Sequence, residues 1–156
     1  MEEIRIRPLA PEHLADAARL LNSLNPETPS ALIAERLGNI LADHPHYQIF
    51  GAFAGESLLG VAGAWVAIKI WCGRYLEIDN LVVDPAARSG GIGSMLIRHL
   101  EVVAKEHDCK ILVLDSYTAN HPSHRLYHRL GFEIWGFHFI KPIGDWKGIG
   151  GDANMR

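Results

Sequence analysis

Cysteine is scarce: Cys72 and Cys109 are the only two in 156 residues, and they form no Cys-x-x-Cys pair. That argues against a zinc ribbon or a disulfide framework and fits reduced thiols in a cytoplasmic protein. Long apolar runs are also missing. The longest, around Leu58 to Ile70, is broken or bounded by Gly, Glu and Lys before it reaches the roughly 20 residues of a membrane span, so no membrane partner is expected. Met1 to Arg7 alternates charge with Ile, unlike the basic start and apolar run of a secretory leader. There is no basic block, and the formal net charge is −3, which disfavours a nucleic-acid partner and mildly favours cationic substrates. Apolar residues at 48% and charged residues at 21% match an ordinary globular chain rather than a disordered one.

What is present reads as one domain over residues 1–156. Ile4 to Arg7 alternates as a short strand closed by Pro8. Leu14, Ala17, Ala18, Leu21 and Leu24 recur at helical spacing, and so do Leu32, Ile33, Leu37 and Leu41 beyond a loop at Asn22 to Ser30. Gln48 to Phe53, Leu58 to Ile70 and Arg74 to Val83 are β-prone runs. The short turns Gly55-Glu56 and Cys72-Gly73 make them antiparallel neighbours. Ile92, Met95, Leu96, Leu100 and Val103 mark a long helix. Lys110 to Leu114 is apolar enough for the sheet centre. Pro122 to Leu130 is a helix ended by Gly131, Phe132 to Ile140 is a last strand or hairpin, and Gly144 to Arg156 is a loose tail. The order is β-α-α-β-β-β-α-β-α-β, an α/β fold with a mixed sheet and no internal repeat.

Two segments carry chemistry. Arg88-Ser89-Gly90-Gly91-Ile92-Gly93-Ser94 follows a strand and opens a helix, where unpaired N–H groups and the helix dipole can cradle a pyrophosphate. A P-loop would need a lysine after Gly93, and a dinucleotide fingerprint would need Gly or Ala where Leu96 stands. Before the turn, Leu76 to Val83 reads L-E-I-D-N-L-V-V. In a regular strand Glu77, Asp79, Leu81 and Val83 would share one face. Two carboxylates on an apolar strand are costly to bury, which makes either a general-base candidate; the alternative is that they reach solvent or bond to backbone.

The segment Glu77 to Arg98 resembles the acetyl-CoA motif of the GNAT acyltransferase superfamily, Gln/Arg-x-x-Gly-x-Gly/Ala, through Arg88, Gly91 and Gly93. A second family segment is matched by Asn120, Leu126, Tyr127, Gly131 and Phe132, with Ser123 in place of the usual Ala. The resemblance implies a mostly antiparallel central sheet with helices on both faces and acetyl-CoA as co-substrate. It also implies that backbone N–H groups from Ser89 to Ser94 hold the pyrophosphate. Pantetheine would pair like an added strand near Leu81, Val82 and Val83, and Asn120 and Ser123 would lie along its arm. Tyr127 would protonate the departing thiolate. Glu77 falls where histone-type relatives carry their catalytic Glu, and Asp79 where polyamine-type relatives carry one, so the base stays open between them.

The implied reaction is direct transfer of acetyl to a primary amine, with a small molecule as acceptor. The alternatives are a protein lysine or N-terminus as acceptor, or a non-catalytic acyl-CoA sensor. Cys109 is not needed as a nucleophile. His121, His124 and His128 have metal-like spacing but no acidic or Cys partner, so no metal is expected. The family resemblance also makes a homodimer an expectation.

Overall fold

The computed structural model describes residues 3–145. The chain divides into two compact units, residues 1–114 and 115–156.

The first unit is built on a five-stranded sheet. Strands β1 (Ile4–Pro8), β2 (Tyr47–Ala54), β3 (Ser57–Lys69), β4 (Gly73–Val83) and β5 (Ile111–Leu114) lie in chain order. The first three pairings are antiparallel, and β4 pairs with β5 in parallel through the crossover helix α3 (Ile92–Glu106). Helices α1 (Leu14–Asn22) and α2 (Ser30–Asp43) bury Ala17, Ala18, Leu20, Leu21, Ile33 and Leu37 against one sheet face, where they meet Tyr47, Ile49, Val61 and Val82. Helix α3 covers the other face. Its residues Ile92, Leu96, Leu100 and Ala104 recur every fourth position, and with Ile97 and Val103 they form a wide apolar stripe. Leu96, Ile97 and Leu100 are fully buried, each worth about 2 kcal/mol of transfer free energy. Helices therefore lie on both faces of a mostly antiparallel sheet.

Three expectations need correction. β5 pairs only with β4 among the described residues and all four of its residues are half-buried, so Ile111–Leu114 is an edge strand and not a central one. Its apolar run suits either position, and composition alone does not distinguish them. Phe132 to Ile140 forms no strand; the last element of the second unit among the described residues is α4 (His121–Arg129). The tail expectation, 144–156, lies mostly outside the described residues.

The third correction concerns β4. Gly63 sits opposite Asp79 and Val61 opposite Val82, so one residue of β3 faces two of β4, Asn80 and Leu81. This is a β-bulge, and Asn80 takes φ +54°, a left-handed conformation that Asn tolerates better than most residues. The extra residue reverses the parity. Val82, not Leu81 or Val83, shares the α1/α2 face with Glu77 and Asp79, and it joins the core there.

Candidate active site

The glycine turn is where its composition places it. β4 ends at Val83, and Asp84 Oδ1 accepts the Ala86 N–H at 2.8 Å to fold Pro85–Ala87 into a single 3-10 turn. Arg88, Ser89, Gly90 and Gly91 then run exposed into α3. Ser89 and Gly91 have φ of +70° and +77°, and only the second is a glycine. The first helical bond is Met95 N–H to Gly91 C=O at 3.0 Å, so the N–H groups of Ile92, Gly93 and Ser94 have no helical acceptor. No side chain caps them. The result is a cluster of N–H groups without helical acceptors at the positive end of a 15-residue helix, with a cation, Arg88, beside it.

Gly60 sets how closely that helix approaches the sheet. A Cβ there would stand 2.9 Å from the Val82 carbonyl oxygen and 3.3 Å from both Ile92 and Leu96, so any side chain would push the start of α3 off β3 and β4.

β4 also presents an open edge. It pairs with β5 from Tyr75 to Ile78, and β5 stops at Leu114. From Asn80 to Val83, which includes Leu81 and Val82, no strand lies on that side among the described residues. Backbone there can accept an extended ligand in the manner of strand addition.

Asp79 stands where the edge opens. The Trp65 indole Nε1 donates to its Oδ2 at 3.2 Å, and Glu77 faces Trp65 across the β3–β4 ladder. Trp65 packs on Tyr47 with ring centroids 4.6 Å apart and edge-on to His44 at 5.3 Å. The Tyr47 hydroxyl lies directly over Gly63, which has no Cβ to obstruct it, and it hydrogen-bonds with Asn80 at the bulge. Burial, followed by the nearby Asp79 charge, pushes the Tyr47 phenol well above its usual range, so it is a neutral, fixed dipole at neutral pH. Tyr47, Gly63, Trp65, Asn80 and Gly60 were not picked out for this site from sequence. Asn80 carried a legible signal, a left-handed-tolerant residue inside a β-prone run.

In the second unit, Asn120 precedes α4 and the Ser123 side chain hydrogen-bonds Tyr127 one turn later. Burial raises the Tyr127 phenol above its ordinary value, partly offset by that bond. Its ring lies 6.0 Å from Phe132, and the Phe132 N–H donates to the Tyr127 carbonyl at 3.0 Å past Gly131, whose φ is +89°. His124 Nε2 lies 2.9 Å from the Tyr117 carbonyl and His128 Nδ1 3.1 Å from that of Phe132, so both rings have backbone partners.

Burial also raises the Cys109 thiol, which keeps it protonated and a poor nucleophile. A separate cleft of about 370 Å³, lined by His46, Gln48, Arg74 and His107 among others, opens at the far end of α3, some 20 Å of helix from the glycine turn.

The family model described as Acetyltransferase (GNAT) family matches residues 15–132, across both units. The chain is 33% identical over 126 residues to glucosamine 6-phosphate N-acetyltransferase 1 of Oryza sativa subsp. japonica, covering 73% of each. It is 26% identical over 134 residues to aminoglycoside N(6')-acetyltransferase type 1 of Acinetobacter haemolyticus, covering 83% of this chain and 91% of that one. The fold superposes on the CoA complex of aminoglycoside N-acetyltransferase AAC(6')-Iy with a TM-score of 0.81 at 22% identity, over 92% of this chain and 96% of that one. The chain belongs to the GNAT acetyltransferase family and is an acyl-CoA-dependent N-acetyltransferase.

Proposed function

We propose that this protein, as a single acetyltransferase domain, moves acetyl from acetyl-CoA to the primary amine of a small molecule by direct attack. The observation that carries the reading is the conjunction, within residues 1–114, of N–H groups without helical acceptors heading α3, an open β4 edge, and the carboxylate of Asp79 where that edge opens. These features fit acetyl-CoA. Backbone N–H groups from Ser89 to Ser94, with Arg88, would take its pyrophosphate, and the edge from Leu81 to Val83 its pantetheine arm, with Asn120 and Ser123 as further contacts. The co-substrate supplies an activated thioester.

The residues of the chain supply proton management. An alkyl amine has a pKa near about 10.4 and arrives charged, so it must lose a proton before its lone pair can attack. Asp79 takes that proton, held in place by the Trp65 indole, while Glu77 adds negative charge that draws in the ammonium group. Tyr127, kept neutral by burial, gives its proton to the departing thiolate, whose conjugate acid is the stronger acid at about 8.5 by analogy with Cys. Both cysteines are free thiols, which suits a cytoplasmic setting, and no helix among the described residues is long and apolar enough to cross a membrane. The proposal includes no nucleic-acid or metal partner.

The acceptor class follows the relatives, whose names give a hexosamine phosphate and aminoglycosides as substrates. Release of free CoA thiol across a panel of amino sugars, polyamines, amino acids and lysine peptides tests it. Turnover with a small amine is expected; turnover confined to lysine peptides would transfer the activity to protein acceptors, and none with any amine would leave a sensor.

A further inference from the structure

Tyr47 carries a hydroxyl that packing does not require. The residue is 5% exposed in the core between the sheet and helices α1 and α2, where Phe would bury as much apolar surface. A buried phenol O–H needs a partner, and here the partner is the side chain of Asn80, reached across Gly63. Gly63 leaves that path open, since a Cβ there would collide with the hydroxyl and with the ring carbon that bears it. The arrangement draws on three strands, with Tyr47 from β2, Gly63 from β3 and Asn80 from β4.

Asn80 is the residue that needs holding. It lies in the bulge at φ +54°, and the strain of a left-handed residue other than glycine is similar in size to the net contribution of one hydrogen bond. Asp79 directly precedes it, and the open edge of β4 continues from it. Tyr47 also packs on Trp65, whose indole donates to Asp79. We propose that Tyr47 is a positioning residue for the transfer reaction: its hydroxyl pins the left-handed bulge at Asn80, and the pinned bulge aims the Asp79 carboxylate and sets the edge from Leu81 to Val83. Without the pin the extra residue is free to relax, and a slip of one residue exchanges the faces of everything beyond it. The inference rests on the proposed roles of Asp79 and of that edge, and it adds a buried residue to them.

The test compares wild type, Tyr47→Phe, Tyr47→Phe/Asn80→Gly and Asp79→Asn, with kcat measured against pH on an amine that the wild type turns over. Tyr47→Phe should lower kcat roughly 10- to 100-fold at neutral pH, the scale of a small misplacement of reacting groups. That loss should shrink as the pH rises, as in Asp79→Asn, because a displaced base leaves the enzyme dependent on amine that is already neutral. Glycine takes a left-handed backbone without strain, so the double variant should regain most of the lost rate. A role for Tyr47 in packing alone would not be rescued by removing the side chain at residue 80. An unchanged kcat in Tyr47→Phe, or a double variant no faster than Tyr47→Phe, would overturn the inference and leave the transfer activity standing. Absence of wild-type turnover would remove the proposed function and the inference together. A wild-type rate in Asp79→Asn beside a rescued Tyr47→Phe would remove Asp79 as the base and keep the pin, acting through the edge. If Tyr47→Phe does not fold, Asn80→Ala breaks the same bond from the other side. Its kcat should then fall below that of Asn80→Gly by a similar factor, and equal rates would overturn the inference.

Discussion

Tyr127→Phe is expected to lower kcat by roughly 100-fold or more, the usual contribution of a positioned general acid, while acetyl-CoA binding stays close to wild type. Phe keeps the ring, its contact with Phe132 and the α4 backbone, and removes only the hydroxyl that Ser123 holds. Loss of one partly buried hydrogen bond costs about 1 kcal/mol of stability, too little to unfold a domain and so separable from the kinetic effect by a melting curve. The pH dependence has a definite sign. Burial raises the phenol above its ordinary value, so Tyr127 keeps its proton through the neutral and mildly alkaline range, and the wild-type rate should not fall there on its account. An unchanged kcat in the variant would reduce Tyr127 to a packing residue.

Asp79→Asn should cost roughly 100-fold in kcat/KM at neutral pH and should recover as the pH rises. The isosteric amide keeps a polar partner for the Trp65 indole but cannot take a proton. The variant therefore depends on amine that is already neutral, and that fraction grows about tenfold per pH unit below the amine pKa. Glu77→Gln, measured alongside, should raise KM for the acceptor with little change in that slope, since the proposal gives Glu77 an attractive role only. The reverse pattern, with recovery in Glu77→Gln and not in Asp79→Asn, would exchange the two roles.

Much of this was legible in the sequence. The helical spacing of Leu14 to Leu24, the three β-prone runs and the glycine turn each depend on local periodicity or on a few residues with special backbone freedom, and those are local properties. What was not legible depended on pairing. The bulge at Asn80 adds one residue to β4, and a strand read at period two then assigns Leu81 and Val83 to the wrong face. Nothing in the β-prone run Leu58 to Ile70 sets Gly60 and Gly63 apart. In the fold they are the positions where the start of α3 and the Tyr47 hydroxyl come against the backbone. Tyr47 carries no signal in sequence, because its bond to Asn80 joins residues more than 30 positions apart. Ile111–Leu114 is a strand as expected but lies at the sheet edge, and residues 132–140, expected as a last strand or hairpin, form no strand, since composition states what a segment can bury and not which edge it meets.

The most direct test of the account is calorimetric titration of the wild-type protein with acetyl-CoA alone. Saturable binding of one molecule per chain, weakening as salt is raised because the pyrophosphate meets Arg88 and the α3 N-terminus, is the predicted result. Absence of binding would contradict the reading of the glycine turn and of everything built on it.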